Sequence, residues 1–113
     1  MLFSPYTISL QEQFVVLYLN RANRLLGSYQ LSIGGITGTI ADVRLILSVA
    51  LKTLATGLIL AHNHPSGNLK PSEVDIGLTK KIKQSAKLMG IELLDHIIIS
   101  NEGYFSFIDD GIL

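Results

Sequence analysis

The feature that most restricts the fold of this chain is the alternation of strand-like and helix-like segments along it. Residues 57–61 have the pattern of a short buried strand, residues 72–90 follow with helical spacing and a glycine stop, and residues 93–100 return to a strand pattern. Chains that alternate in this way fold as α/β proteins, with helices packed on a sheet. We therefore predict an α/β fold with a mixed β-sheet flanked by helices.

The other segments fit the same architecture. An Asn-rich turn at residues 20–23 follows an apolar run and predicts a β-hairpin with residues 24–33 as the returning strand. Five further features complete the pattern: an irregular start at Ser4-Pro5, the apolar strand at 14–19, a break at Gly34, Gly35 and Gly38, a helix from Asp42 to about residue 55, and a last strand at 104–107.

Composition limits the size and class of the protein. With 113 residues, of which 48% are hydrophobic, the chain can form one compact core and no more. We expect a single domain over residues 1–113, and so apolar a small chain also suggests a homo-oligomer. No apolar run reaches the roughly 18 residues of a membrane span, and the N-terminus lacks the basic region of a signal peptide, so we expect a cytoplasmic protein with no membrane contact.

Charge and cysteine content exclude several kinds of function. Basic and acidic residues balance at nine each, which argues against strong sequence-independent binding to nucleic acid. The absence of cysteine excludes disulfides, thiolate nucleophiles and cysteine-based zinc sites, including the signature of the zinc deaminases. Any metal must therefore be held by nitrogen and oxygen ligands.

Two of the three histidines lie close together at the end of the strand predicted at 57–61. His62 and His64 are two residues apart, so on a strand they project from the same face and can bind one ion. Asp75 falls in the first turn of the helix that begins at Ser72, where its carboxylate can point back to the strand end. Two imidazoles and one carboxylate leave the fourth position of tetrahedral Zn²⁺ open, as in catalytic zinc sites.

Each part of this pattern also has a simpler explanation. Ser72 and Asp75 have the spacing of a capping box, and a His-x-His pair at a strand end is more often a hydrogen-bonded pair than a ligand pair. The His-x-His pair and the Ser/Asp pair lie on either side of a Pro-Ser-Gly loop. Their combination favours a metal site over packing alone.

The full spacing resembles a known family of metalloproteases. His62-Asn63-His64, seven intervening residues, Ser72, two more residues and Asp75 match the H-x-H-x(7)-S-x(2)-D core of the JAMM (MPN+) family. The resemblance implies a JAB/MPN fold of cytidine-deaminase-like architecture and a zinc hydrolase that cleaves peptide or isopeptide bonds in a peptide or protein substrate. It also implies that the two histidines and the aspartate ligate zinc, and that the serine stabilises the oxyanion.

The surrounding sequence is similar to the bacterial RadC branch of that family. The similarity lies in H-N-H-P-S-G at 62–67, P-S-E-x-D at 71–75, L-D-H at 94–96 and the segment 34–44. Asn63 also matches this branch, whereas members that remove ubiquitin usually have Ser or Thr there, so a deubiquitinase is not favoured. The helix-hairpin-helix region found upstream in longer RadC-like proteins is expected to be absent.

The family also has a glutamate upstream of the His-x-His segment that acts as general acid and base. The chain has four glutamates, and of these only Glu12 precedes His62. The resemblance therefore implies this role for Glu12, which precedes the strand predicted at 14–19. The alternative is an exposed residue in the polar Gln11-Glu12-Gln13 segment.

Two other classes of function remain open. RadC-like proteins carry a DNA-repair name, and Lys80, Lys83 and Lys87 share a helix face that could contact nucleic acid, although such a face is more often simply solvated. Family members that lose their ligands act as metal-free scaffolds. His96 could support a metal-bound imidazole, with Asp95 as an acceptor, or be an ordinary core histidine.

Overall fold

The computed structural model describes residues 12–33 and 42–113, and its first element is the predicted hairpin. Strands β1 (Gln13–Leu19) and β2 (Leu25–Ile33) pair in antiparallel fashion. The side chain of Asn20 accepts hydrogen bonds from the backbone N–H groups of Ala22 (2.9 Å) and Arg24 (3.0 Å), and Asn23 adopts φ +59°. Asparagine tolerates this left-handed conformation, which explains the tight turn.

The described strands form one mixed sheet in the order β2-β1-β3-β4-β5. Strand β3 is antiparallel to β1 and parallel to β4, and a helix connects the two parallel strands as a crossover. This arrangement confirms the predicted α/β fold with a mixed sheet flanked by helices. The remaining elements are α1 (Val43–Thr53), β3 (Gly57–Asn63), α2 (Glu73–Leu88), β4 (Glu92–Ser100) and β5 (Gly103–Ser106).

Both helices begin where the sequence predicts, and α2 also ends there. Asp42 caps α1 by accepting from the N–H of Arg44 at 2.9 Å, and its carboxylate pairs with the Arg44 side chain at 3.3 Å. Helix α2 ends at the predicted glycine, because Gly90 adopts φ +73° directly after the C-cap. Helix α1 ends slightly earlier than predicted, since Leu54 turns into the left-handed region.

The main core lies between the helices and one face of the sheet. Alternate residues of β1 and β3 contribute to it, as expected for side chains that project from one face of a strand. Its fully buried members include Val16, Tyr18, Ile46, Leu58, Leu60, Ile82 and Ala86.

The helical spacing of apolar residues in the sequence predicts one apolar side for α2, made of Val74, Leu78, Ile82, Ala86 and Met89. This prediction is only partly correct. Ile82 and Ala86 are buried as predicted, but Val74 is 63% exposed. Asp75 and Thr79 take the inward positions in the first half of the helix, and the Thr79 side chain is buried. The predictions at Ser4-Pro5 and for Gly34, Gly35 and Gly38 lie outside the described residues.

Candidate metal centre

The candidate ligands lie where β3 ends and α2 begins. His62 occupies the penultimate position of β3 and is buried on the helix-covered face, while His64 follows the strand and is half-buried. Asp75 lies in the first turn of α2. In α/β proteins, ligands commonly bind at the carboxyl end of a strand beside a helix N-terminus, and these three residues converge there.

The distances between their donor atoms suit a metal ion. His62 Nε2 and His64 Nε2 are 2.8 Å apart, and the Asp75 oxygens lie 3.3 Å from each of these nitrogens. Tetrahedral zinc, with ligands at 2.0–2.1 Å, holds neighbouring ligand atoms about 3.3 Å apart. The described residues thus contain one group whose ligand atoms lie close enough together to bind a metal ion, formed by His62, His64 and Asp75.

The orientation of His64 agrees with this arrangement. Its Nδ1 lies 2.7 Å from the backbone oxygen of Asn68, which can only accept a hydrogen bond. Nδ1 therefore carries the proton, and in the neutral ring the lone pair of Nε2 points toward His62 and Asp75. A neutral imidazole with a free nitrogen is the form that binds metals.

Asp75 takes part in a capping box as well as in the candidate ligand set. Its N–H donates to Ser72 Oγ (3.0 Å), and its Oδ2 accepts from the Ser72 N–H (2.8 Å). Burial raises the pKa of Asp75, but the His62 ring beside it and the hydrogen bonds from Ser72 outweigh burial, and the pKa falls well below its usual value. Asp75 is therefore a carboxylate at neutral pH, and the two interpretations made from the sequence coexist.

The other two predicted site residues line the same cavity. This cavity has a volume of about 390 Å³ and opens beside the three candidate ligands. Glu12 is half-buried in its wall, two residues before Phe14, whose ring stacks on His62 at 5.7 Å. The structure thus brings together all five predicted residues, although their roles remain predictions. The lining consists of Glu12, Phe14, His62, His64, Pro65, Ser66, Ser72, Val74, Asp75 and Leu78.

The partner of His62 is His96 rather than Asp95. His62 Nδ1 lies 2.7 Å from His96 Nε2. The Asp95 carboxylate instead accepts from Ser106 Oγ (2.6 Å) and from the backbone of His96 and Ile108. Asp95 therefore stabilises the turn that follows β5 and is not the hydrogen-bond partner of a candidate ligand.

His96 in turn contacts Thr79, a residue that the sequence analysis did not single out. Its hydroxyl lies 2.6 Å from His96 Nδ1. No sequence signal distinguishes a threonine that contacts a buried histidine from other threonines in a helix. Its spacing of four residues from Asp75 does place it one turn further on the same helix face.

We predict that His96 makes the metal-free protein less stable at acidic pH. Its pKa falls from 6.5 to about 3, chiefly because burial disfavours the charged ring and also because His62 lies beside it. The unfolded chain therefore takes up a proton over a range in which the folded protein does not. The contribution of His96 to the free energy of unfolding is therefore fully present above pH 6.5. It should fall by up to about 1.4 kcal/mol per pH unit as the pH decreases toward 3.

Urea unfolding of chelator-treated protein between pH 7 and pH 4.5 would measure this slope. The matched variant is His96→Asn, which lacks the titrating ring. Its free energy of unfolding should change less steeply with pH, because about one proton fewer is taken up on unfolding. The other titratable groups near His96 are His62, His64 and Asp75, and all three are retained in both proteins. Parallel curves for the two proteins would contradict the prediction.

Comparison with known proteins identifies the family. The family model described as "RadC-like JAB domain" matches residues 2–112. A UPF0758 protein of Flavobacterium johnsoniae is 52% identical over 101 residues, covering 89% of this chain and 44% of that protein. A UPF0758 protein of Porphyromonas gingivalis is 49% identical over 112 residues, covering 97% of this chain and 49% of that protein.

A third relative, a UPF0758 protein of Streptococcus suis, is 42% identical over 101 residues, covering 89% of this chain and 41% of that protein. The chain thus spans about half the length of the curated relatives it matches, or somewhat less. Within the described ranges, neither helix has the length and apolarity needed to cross a membrane. The resemblance noted in the sequence is confirmed, and the chain belongs to the RadC-like JAB domain family.

Proposed function

We propose that this chain is a zinc-dependent hydrolase that cleaves a peptide or isopeptide bond in a peptide or protein substrate. The observation that carries the proposal is the convergence of two imidazole nitrogens and an ionised carboxylate at one wall of an open cavity. The cavity also contains a second carboxylate and a hydroxyl, which are the remaining groups that amide hydrolysis requires.

His62, His64 and Asp75 would hold the zinc ion. When bound there, zinc would supply a Lewis acid and a water whose pKa is lowered to about 7. Asp75 contributes the negative charge of the ligand set, and its capping hydrogen bond from Ser72 fixes the direction of one carboxylate oxygen.

Glu12 is the proposed general base and acid. Glu12 lines the cavity from the residue just before β1, because β1 pairs with β3 and places Phe14 opposite His62. From this side it can take the proton of the attacking water and deliver it to the leaving amine nitrogen. Proton transfer by a positioned carboxylate of this kind contributes roughly 10²- to 10⁴-fold to rate.

Ser72 is the proposed donor to the carbonyl oxygen of the substrate. Its oxygen accepts the N–H of Asp75, and its hydroxyl also stabilises the Asp75 carboxylate, so the hydroxyl proton would turn from that carboxylate to the substrate carbonyl oxygen. Capping and stabilisation of the developing negative charge therefore use different parts of one hydroxyl group. A donor aimed at such an oxygen is worth about 3 kcal/mol when it is well placed.

The substrate assay compares zinc-loaded protein with chelator-treated protein. A mixed peptide library and a set of lysine-linked isopeptides would be incubated with each, and the products identified by mass spectrometry. We expect cleavage only with zinc, and its return when zinc is added back to the treated sample. Intact substrates in the presence of fully loaded protein would overturn the proposal and favour a binding scaffold.

A role with nucleic acid has weaker support. Lys80, Lys83 and Lys87 are exposed on α2, but none of them lines the cavity beside the candidate ligands. DNA binding that survives chelation and is lost when these lysines are replaced by alanine would favour that role over hydrolysis.

A further inference from the structure

A chain of buried polar contacts runs from one candidate ligand to another through residues that do not line the cavity. It begins at the backbone oxygen of Asp75, which lies 2.7 Å from Thr79 Oγ1. It continues from Thr79 Oγ1 to His96 Nδ1 (2.6 Å) and from His96 Nε2 to His62 Nδ1 (2.7 Å). His62 and Thr79 are each 1% exposed, and His96 is fully buried.

The direction of the first hydrogen bonds follows from the chemistry of the atoms. A backbone carbonyl oxygen can only accept, so the Thr79 hydroxyl donates its proton to Asp75. The Thr79 oxygen has then used its only proton and must accept from His96. His96 Nδ1 therefore carries a proton.

The next bond follows from the burial of His96. A second proton on Nε2 would make this ring a cation, and its closest described contacts are His62, the Thr79 hydroxyl and the rings of Phe14 and Phe107, of which Phe107 stacks on it at 4.5 Å. None of these contacts carries a negative charge, and the attraction of the Asp75 carboxylate is weaker than the cost of burying a charged ring. His96 Nε2 is therefore an acceptor, and His62 Nδ1 donates to it.

The consequence for His62 is a single tautomer. With its proton on Nδ1, the lone pair of His62 Nε2 points toward His64 Nε2 and Asp75 Oδ1, at 2.8 Å and 3.3 Å. We propose that Thr79 and His96 are positioning residues that fix this tautomer of His62 and thereby set the affinity of the site for zinc. The inference rests on the proposed function, because it concerns the same metal site.

Removal of the Thr79 hydroxyl should reverse the direction of the hydrogen bond between His96 and His62. In Thr79→Val, which has nearly the same shape, His96 Nδ1–H has no acceptor in a buried position. A shift of that proton to Nε2 lets His96 donate to His62 Nδ1, and His62 then carries its own proton on Nε2, at the position of the metal. Loss of such a supporting partner typically lowers metal affinity about 10- to 100-fold.

The first measurement is the tautomer of each histidine in the metal-free protein, by two-dimensional NMR of a sample labelled with ¹⁵N-histidine. We expect a proton on Nδ1 of both His62 and His96 in the wild type, and a His62 ring in Thr79→Val that carries its proton on Nε2 and none on Nδ1. Thr79→Ser, which keeps the hydroxyl, should retain the wild-type tautomers.

The second measurement is zinc affinity by competition with a chromophoric chelator. Thr79→Val should bind zinc 10- to 100-fold more weakly than the wild type, and Thr79→Ser should bind nearly as well as it. The matched control is Thr53→Val, because Thr53 makes the same kind of bond to a helix carbonyl (2.8 Å to Val49) and lies outside the residues that line the cavity. Thr53→Val should bind zinc as the wild type does.

The two proposals fail in different ways. Wild-type zinc affinity in Thr79→Val, or a His62 ring without a proton on Nδ1 in the wild-type protein, would overturn the positioning role while leaving the metal site intact. The tautomer test on the wild type needs no variant, so it stands even if Thr79→Val does not fold. A wild-type protein with the expected tautomers that binds no zinc would overturn the proposed function, together with the effect on affinity.

Discussion

Replacement of Asp75 by alanine should abolish stoichiometric zinc binding, so that the variant no longer retains one zinc ion per chain. The carboxylate is the one anionic group in the candidate ligand set, and its two oxygens lie 3.3 Å from His62 Nε2 and His64 Nε2. Without it, two neutral imidazoles would hold a dication alone, so affinity should fall by more than the roughly 100-fold seen when only a supporting partner is lost. Elemental analysis of untagged protein after reconstitution and desalting would measure the retained zinc.

The control for this substitution must separate ligation from helix capping, because Asp75 does both. Ser72→Ala removes the hydroxyl that accepts the Asp75 N–H but leaves the carboxylate and the Ser72 N–H in place. It should cost about 1 kcal/mol of unfolding free energy and retain zinc. If Ser72→Ala loses as much zinc as Asp75→Ala, the cap and not the carboxylate charge maintains the site.

Short-range patterns in the sequence account for most of the fold. The hairpin follows from an apolar run and a turn whose Asn20 and Asn23 have clear roles, and α2 follows from its cap at Ser72 and its stop at Gly90. The candidate site was predictable for the same reason: the alternation of His62 and His64 on a strand end and the position of Asp75 in a first helical turn are both local. A predicted loop of fixed length then brings them together.

The contacts behind the site were not predictable, because their partners are far apart in the chain. His96 and His62 are separated by 34 residues, and His96 and Thr79 by 17. His96 reaches His62 only because the parallel register pairs Leu60 with His96 and His62 with Ile98, which puts both rings on one face of the sheet. This register is set by the pairing of two strands that are distant in the chain, and a single sequence does not specify it.

Hydrophobic periodicity also misplaced the first half of α2. It assigned Val74 to the buried side because valine is apolar, whereas Asp75 and Thr79 face inward there. Polar residues occupy this inward position because their partners are polar: Asp75 faces the candidate ligand His62, and Thr79 contacts His96 behind it. A departure from the hydrophobic pattern at a helix start is therefore informative, since such departures concentrate at functional sites.

The change from Glu12 to glutamine should leave zinc bound and remove most of the turnover. Glutamine has nearly the same size but cannot take up a proton at neutral pH, so we expect a loss of about 10²- to 10⁴-fold in the rate of substrate cleavage at full zinc occupancy. Glu73→Gln is the matched control, because Glu73 is exposed in the first turn of α2 and does not line the cavity. It should hydrolyse substrate at nearly the wild-type rate. Retained hydrolysis in Glu12→Gln would exclude Glu12 as the proton carrier, whereas loss of zinc from it would make Glu12 part of the binding site, since neither result fits a residue that acts only on the proton.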